Sequence, residues 1–303
     1  MKAIFFGCVA LCLGATACAS TGGGGGGVAD TSATGTADTT GTKTDTGSAG
    51  DTTAAKTDTG STGGDSSSVG AEKNIVELQK ASATCPTPNP ASFGEALGVT
   101  IRNAIVTSPG RDEGKATPAT LIGLFVQQKN GGQWSGMYVT GKKSDELSQV
   151  KVGDVITMTG DVKDFYCFTE IYSKVTTIES QGKELPVALT VTTSDLSETD
   201  AVKSEPYEGV LVQLHDVVVG EVALGSDGKD HGDVYVGKDD KDKAVRMGSG
   251  FYGVYMSDKN KDGTYTAKYP KGTKLGTVTG VVEYSFNAYR LVITKDPEGV
   301  VKP

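Results

Sequence analysis

The sequence predicts an all-β fold with two small β-barrels in tandem, and an internal repeat is the main reason. Lys151–Ile171 reads K-V-G-D-V-I-T-M-T-G-D-V-K-D-F-Y-C-F-T-E-I, and much of it recurs in Lys271–Leu291. From a shared Thr-Gly pair onward the two copies align without a gap. The glycines of that pair, Gly160 and Gly280, lie within apolar strands, where glycine marks a bulge or sharp bend. Short apolar runs between turn residues fill the rest of the folded part, as in barrels and sandwiches.

The first 17 residues predict a cleaved signal peptide. They contain one lysine, the apolar run Ile4–Leu13 and the small residues A-T-A at the end. That run is too short to span a bilayer of about 30 Å. Cleavage there leaves Cys18 first, and A-T-A-C resembles the bacterial lipobox, with alanine where that family prefers leucine. The resemblance implies a lipidated Cys18, and Ala19 after it implies the outer membrane; plain secretory cleavage is the alternative.

The number and positions of the cysteines agree with a location outside the cytoplasm. Cys8 and Cys12 belong to the signal peptide, and Cys18 is assigned to the lipid. The remaining two, Cys85 and Cys167, are predicted to form a disulfide in an oxidising compartment. Two buried free thiols are the alternative. No C-x-x-C motif or neighbouring histidine accompanies these two cysteines, so they do not predict a metal site.

Residues 18–71 predict a disordered linker after the lipidated cysteine. Ala19–Ala71 is almost wholly Gly, Ser, Thr, Ala and Asp, and only Val28 and Val69 are bulky and apolar. Such a segment cannot bury enough surface to offset its ordering entropy. As a flexible coil it would span about 40 Å root-mean-square. It would lift the folded part off a membrane, although a plain connector fits the sequence equally well.

Residues 72–182 predict a first five-stranded barrel. A short helix is expected over Glu72–Lys80, and a helical turn over Ser144–Val150 between the third and fourth strands. Five strands with a helical element at that point is the order of the OB-fold. The predicted strands are Gly98–Thr107, Leu121–Gln128, Met137–Thr140, Val155–Val162 and Thr169–Ile178.

Residues 183–303 predict a connector and a second barrel of the same kind. Asp195–Tyr207 reads as a connecting helical turn and an extended linker. The predicted strands are Gly209–Val222, Asp233–Val236, Ala244–Met247, Val278–Glu283 and Tyr289–Thr294.

Three short motifs resemble a known arrangement. They are E-P-Y-E-G-V-L-V at Glu205–Val212, the G-D and T-G pairs within Gly153–Gly160, and T-E-I at Thr169–Ile171. Together they resemble the tandem OB-like domains found beside nuclease domains in bacterial secreted nucleases and in surface lipoproteins. The resemblance covers roughly Leu97–Thr294 and rests on structural glycines and valines. In such relatives a separate nuclease domain carries catalysis, and this sequence shows none.

The sequence contains few residues in arrangements typical of catalysis, and no residue is assigned a catalytic role. The two histidines, His215 and His231, show no nucleophile–base arrangement in the sequence. No H-E-x-x-H, G-x-S-x-G or P-loop motif occurs. The sequence therefore favours a protein that is not an enzyme.

One loop matches part of a calcium site. D-K-N-K-D-G at 258–263 has the first half of the pattern D-x-[DN]-x-[DN]-G, so Asp258, Asn260, Asp262 and the Thr264 carbonyl are the candidate ligands. The twelfth position is Tyr269 rather than the usual bidentate Glu. A solvated β-turn is the alternative. No other cofactor is predicted.

Aromatic residues supply the candidate ligand contacts, and the charge limits the ligand. The candidates are Trp134, Tyr166, Phe168, Phe286 and Tyr289. Core packing is the alternative role for the strand aromatics. The chain carries a net charge of −8, and residues 73–303 have 26 Lys and Arg against 30 Asp and Glu. A nucleic-acid partner should leave a basic footprint, so the charge disfavours one.

Two functions follow from these features. The first is a membrane-anchored, non-enzymatic envelope lipoprotein that binds a protein or glycan. The alternative is an accessory single-stranded nucleic-acid-binding protein of an extracellular nuclease system.

Overall fold

A computed structural model describes residues 71–82, 93–114, 118–248 and 253–303. The described residues do not include the predicted signal peptide, Cys18, the predicted linker up to residue 70, or Cys85. Most of the described part consists of strands in two six-stranded sheets. In each sheet five strands close into a barrel and a sixth, short strand lies at its edge, which confirms the predicted fold class. Among the described residues no helix is long and apolar enough to cross a membrane.

The first barrel closes because its first strand pairs with two neighbours. Its strands are β1 (Phe93–Val106), β2 (Arg111–Glu113), β3 (Leu121–Gln128), β4 (Gly136–Lys142), β5 (Val155–Phe165) and β6 (Phe168–Ser180). β1 pairs antiparallel with both β3 and β5, and β4 runs parallel to β6. A 3-10 turn at Glu146–Gln149 lies between β4 and β5, where the OB-fold order places a helical element.

A short helix precedes this barrel. α1 (Ile75–Ala81) begins after Asn74, whose side-chain oxygen accepts a hydrogen bond from the Glu77 backbone N–H at 2.8 Å. This is the usual capping contact at a helix start. Ile75 and Leu78 are buried against the barrel core, as the helical spacing predicts.

The second barrel repeats the strand order of the first. Its strands are β7 (Leu189–Thr190), β8 (Leu211–Leu224), β9 (Asp230–Gly237), β10 (Val245–Gly248), β11 (Ser257–Lys259), β12 (Tyr265–Ala267), β13 (Lys274–Ser285) and β14 (Ala288–Ile293). β8 pairs antiparallel with both β9 and β13, and β10 runs parallel to β14. The hairpin β11–β12 stands where the first barrel has its 3-10 turn. The connector before β8 contains α2 (Ala201–Ser204) and a 3-10 turn at Glu205–Tyr207.

The repeat is visible at equivalent glycines. A Cβ on Gly160 would lie 2.1 Å from the carbonyl oxygen of Tyr172, and a Cβ on Gly280 would lie 2.6 Å from that of Val292. In both hairpins the last strand therefore passes too close for any larger residue. These are the positions at which the sequence predicted a bend.

The two hairpin turns are also equivalent. Tyr166 and Cys167 have φ angles of 52° and 63°, and Phe286 and Asn287 have φ angles of 54° and 62°. Two consecutive left-handed residues are typical of the type I′ turn, which suits the twist of a hairpin. Only Asn287 is a residue type that this turn favours, so three of the four positions carry no local sequence signal.

Each barrel has its own hydrophobic core, and a third cluster joins them. The third cluster contains Phe125, Tyr138, Leu211, Val281 and Val292, with Phe168 and Ala188 packed against it. Side chains alternate along a strand, so these residues point away from their own barrel cores. We call this contact between β3–β4 of the first barrel and β8, β13 and β14 of the second the junction, and we include in it the adjoining contact of the β3–β4 loop, β5 and β6 with the connector turn before β8.

Candidate ligand groove and barrel junction

The junction brings the two backbones into direct contact. A Cβ on Gly136 would lie 2.0 Å from the carbonyl carbon of Gly209, so only glycine fits there. The side-chain oxygen of Gln127 accepts a hydrogen bond from the Leu211 backbone N–H at 3.2 Å. The barrels are therefore docked through backbone as well as side-chain contacts.

Trp134 lies at the junction. Its backbone N–H donates to the carbonyl oxygen of Pro206 at 2.6 Å, and its side chain is half-buried. The neighbouring Gln133 side chain donates to the Tyr207 hydroxyl at 2.9 Å. The glycine-rich loop of the first barrel thus packs on the connector turn of the second.

The predicted aromatic contacts fall into two groups. Tyr166 and Phe286, at the tips of their hairpins, are 43% and 64% exposed. Tyr289 is only 5% exposed and lies in the second core, with its hydroxyl donating to the Glu205 carboxylate. Phe168 is partly buried at the junction. The structure therefore leaves Tyr166 and Phe286 at the surface and uses the other two in packing.

The junction covers a face that OB-folds use for binding. Oligonucleotides and oligosaccharides bind OB-folds on the face of the second and third strands and on nearby loops. In the first barrel these strands are β3 and β4, whose outward residues Phe125 and Tyr138 are almost fully buried, with ring centroids 5.0 Å apart. The second barrel therefore occupies that part of the face.

An open groove remains on β1, β5 and β6 of the first barrel. Its volume is about 240 Å³. It is lined by Glu95, Leu97, Asp161, Val162, Lys163 and Tyr172. Leu97 is 72% exposed, which is unusual for a leucine in a strand, and Tyr172 is half-buried. We call this surface the groove.

The β5–β6 turn extends the groove. The rings of Phe165 and Tyr166 meet edge to face with centroids 4.8 Å apart, and both are more than two-fifths exposed. The Lys163 ammonium, which lines the groove, lies 5.1 Å from the centroid of the Phe165 ring. Aromatic surface thus continues from the groove onto the turn.

Charges around the groove nearly balance. Asp161 pairs with Lys174 at 2.6 Å, and this hydrogen bond lowers the pKa of the Asp161 carboxyl. Lys163 lies 3.7 Å from Glu170, whose pKa is raised to about 7 mainly by burial. Glu95 also lines the groove. Two lysines, Lys163 and Lys174, therefore lie near three carboxyl groups, those of Glu95, Asp161 and Glu170. The groove is therefore not a basic surface.

An ion-pair network that the sequence does not reveal crosses the junction. Arg111 of the first barrel lies 3.6 Å from Glu283 of the second, and Glu283 pairs with Arg290 at 2.6 Å. Arg290 also approaches Asp233, which pairs with Arg246 at 2.8 Å. Burial alone would raise the pKa of Glu283, but the two arginines outweigh it and lower the pKa.

The predicted calcium loop forms the turn between β11 and β12. Asp262 accepts hydrogen bonds from the Thr264 backbone N–H at 3.0 Å and from its hydroxyl at 2.7 Å. The Asn260 side chain donates to the Thr264 hydroxyl at 2.9 Å, and Asp258 lies in β11. No group of three His, Cys, Asp or Glu residues in the part of the chain described here is arranged to hold a metal ion. Calcium binding stays a prediction.

Two of the cysteine predictions depend on residues outside the described ranges. Cys167 is disulfide-bonded and 5% exposed. Its predicted partner, Cys85, and the predicted lipidation site, Cys18, are not among the described residues. The Cys85–Cys167 pairing and the lipid stay predictions.

Comparison with known proteins does not show a family for this chain. No protein-family model and no curated protein matches the chain. The second OB-fold domain of replication protein A from Methanococcus maripaludis is 26% identical, covers 29% of this chain and 89% of its own, and has a TM-score of 0.22. The Ifi202 HINa domain in complex with 20-bp double-stranded DNA is 14% identical, with coverages of 65% and 93% and a TM-score of 0.30. A murine DNA-binding protein bound to double-stranded DNA is 12% identical, with coverages of 68% and 99% and a TM-score of 0.31.

Both barrels have the same strand order, and each contains one parallel pair, β4 with β6 and β10 with β14. This is a protein with two OB-like barrels joined through a buried junction.

Proposed function

We propose that this protein is a non-enzymatic binding module of the cell envelope, and that its ligand site is the groove of the first barrel. The supporting observation is that the second barrel covers part of the β3–β4 face, while a groove on β1, β5 and β6, lined by Tyr172 and adjoined by the exposed rings of Phe165 and Tyr166, stays open. Concave sites with aromatic walls and a few polar groups are typical of ligand binding.

A glycan fits the groove best. Tyr172, Phe165 and Tyr166 offer ring surface, against which the C–H faces of a sugar can pack. Glu95 and Asp161 can accept hydrogen bonds from sugar hydroxyls, whereas the same carboxylates would repel phosphate groups. The near balance of charge around the groove also favours an uncharged ligand. A protein partner is the alternative within this proposal.

The attachment to the envelope rests on the amino-terminal sequence. The signal peptide followed by Cys18 supports lipidation, and one short acyl chain binds membranes only weakly, so more than one chain is needed for a stable anchor. The linker supports a spacer that holds the barrels away from the membrane surface. Replacement of Cys18 by Ser should release the full chain from the membrane fraction, and retention of this variant in that fraction would contradict the anchor.

The ligand proposal is tested on an array of neutral oligosaccharides with the purified full chain. Truncation of an aromatic contact costs roughly 1–2 kcal/mol, so Tyr172→Ala and Tyr166→Ala should each weaken binding about tenfold. Phe286→Ala is the matched control, because Phe286 has the position in the second hairpin that Tyr166 has in the first. Equal loss in Phe286→Ala, or no bound oligosaccharide, would contradict a glycan site in the groove.

The same variants also test whether the ligand is a protein. In that case a pull-down from envelope fractions recovers a partner that Tyr166→Ala weakens and Phe286→Ala does not.

Single-stranded nucleic acid is the second candidate function, and the β5–β6 turn is the observation that favours it. Exposed Phe165 and Tyr166 beside Lys163 could stack bases and contact a phosphate. The net negative charge opposes this function. A gel shift with single-stranded DNA at about 50 mM salt, where the electrostatic contribution is large, tests it, and absence of a shift would exclude it.

A further inference from the structure

Three carboxyl groups are buried together at the junction. Asp164 is the next-to-last residue of β5, and Glu205 and Glu208 belong to the connector turn before β8. Asp164 and Glu208 are each 1% exposed, and Glu205 is 6% exposed. Burying three carboxylates side by side without a cation would be very costly. The site is therefore unlike the ion-pair network elsewhere on the junction.

Hydrogen bonds connect the three groups. The Thr169 hydroxyl donates to Asp164 at 2.5 Å, and its backbone N–H donates to Glu208 at 2.9 Å. The Tyr289 hydroxyl donates to Glu205. Residues of the first barrel and of the connector thus meet in one polar cluster within the junction.

The hydrogen bonding of the cluster is incomplete when the carboxyls are charged. The second oxygens of Asp164 and Glu208, Oδ2 and Oε2, are buried and accept no hydrogen bond of normal geometry in the described part of the chain. Weaker contacts from the Ser82 and Gln79 side chains favour the charged carboxylates less than burial disfavours them. Each of the second oxygens is an acceptor if ionised, but a protonated carboxyl would also be a donor. Protonation therefore removes the buried charge and supplies donors to the site.

The groups that face the cluster add no positive charge. β13 contributes the Tyr284 phenol and β14 the Tyr289 phenol, both of which interact electrostatically with the two glutamates. The uncharged side chains of Gln79 in α1 and Ser82 directly after it also face the cluster, and β6 contributes Thr169. Within the described ranges no lysine, arginine or histidine forms an ion pair with any of the three carboxyls.

The titration of the cluster follows from this environment. The pKa of Glu205 is raised to about 7, chiefly by burial; the Tyr289 hydrogen bond opposes this shift and the nearby Asp164 adds to it. Burial and then repulsion from Glu205 raise the pKa of Glu208 well above its usual value. Burial also raises the pKa of Asp164. A carboxyl group whose pKa is raised in the folded state contributes its full stabilisation at pH values below its unfolded pKa. This contribution is lost as the pH rises through its folded pKa.

We propose that Asp164, Glu205 and Glu208 form a proton-dependent lock on the junction. With the carboxyls protonated, the connector turn stays docked against β5 and β6. Deprotonation places unpaired negative charges in the buried contact and loosens the attachment of the second barrel to the first. The lock does not depend on which ligand the groove binds.

The single tryptophan of the chain reports on this region. Trp134 bonds through its backbone to Pro206, which lies between the two glutamates of the lock. The full chain is titrated from about pH 5 to about pH 9 while tryptophan emission and melting temperature are recorded. We expect a sigmoidal emission change with a midpoint at or above about pH 7, and a melting temperature that falls over the same range.

Two variants test the assignment. Glu205→Gln with Glu208→Gln removes two of the three titrating groups but keeps their shape. Asp164 stays, so the part of the emission change at and above about pH 7 should disappear. Glu221→Gln is the control, because Glu221 is an exposed carboxylate on β8 and should leave the change intact. If the double variant does not fold, Glu205→Gln and Glu208→Gln are titrated singly, and each should reduce or shift the emission change, whereas Glu170→Gln should not. An emission and melting temperature that do not respond to pH, a melting temperature that rises with pH, or a transition at or above about pH 7 that persists in the folded double variant would overturn the lock.

Discussion

Gly136→Ala probes the direct contact between the two backbones at the junction. The new methyl carbon would lie 2.0 Å from the carbonyl carbon of Gly209, 2.2 Å from its oxygen and 2.5 Å from the nitrogen of Val210. All three neighbours are backbone atoms, so no side chain can rotate away. Overpacking costs about 1–3 kcal/mol, and here we expect the upper end.

Separation of the two strands would add to this cost. The hydrogen bonds from Trp134 to Pro206 and from Leu211 to Gln127 span the same contact, and each is worth about 1 kcal/mol. A total of about 5 kcal/mol corresponds to a melting temperature lower by about 10–20 °C for a protein of this size. The lost bonds also predict a change in Trp134 emission.

Thermal unfolding followed by circular dichroism and by tryptophan emission measures the effect. Gly220→Ala is the control, because a methyl carbon there would lie 3.3 Å from its nearest neighbour and needs only a small adjustment. A Gly136→Ala protein that melts within about 2 °C of the Gly220→Ala control would refute the docking of the barrels through this contact.

Two further predictions concern the Cys85–Cys167 disulfide and the calcium loop. Cys167→Ser should lower the free energy of unfolding by up to ~4.5 kcal/mol in the chain-entropy model, and the double variant with Cys85→Ser should lose no more than either single variant; additive losses in chemical denaturation would contradict the pairing. If the loop with Asp258, Asn260 and Asp262 binds calcium as the sequence predicts, EDTA should lower the melting temperature and Asp262→Ala should abolish that response; an unchanged melting temperature would contradict a structural calcium site.

The fold was predictable because its signals are local. Alternation of apolar residues defined most strands, and the repeated Thr-Gly pairs marked the equivalent bends at Gly160 and Gly280. Strand ends were less predictable: β5 continues to Phe165 and β13 begins at Lys274, beyond the apolar runs. There the pairing with the neighbouring strand, which is a tertiary contact, extends the element past the pattern that predicts it.

The candidate site was only partly predictable. Tyr166 was a candidate in the sequence and lies at the end of the groove, but Tyr172 and Leu97 come from different strands and were joined only by the barrel. Tyr289 has the same residue type as Tyr166 yet lies in a core. An aromatic residue satisfies either environment, so its type alone does not distinguish them.

The sequence by itself determined the fold class, the duplication and the charge, because periodicity, glycine positions and composition act within a few residues along the chain. Only the tertiary structure decided that the second barrel covers the β3–β4 face of the first, and that Asp164 meets Glu205 and Glu208 beneath it. These contacts join residues far apart in the chain through the outward faces of strands. The free energy of burying those faces depends on the partner surface, which no local pattern encodes.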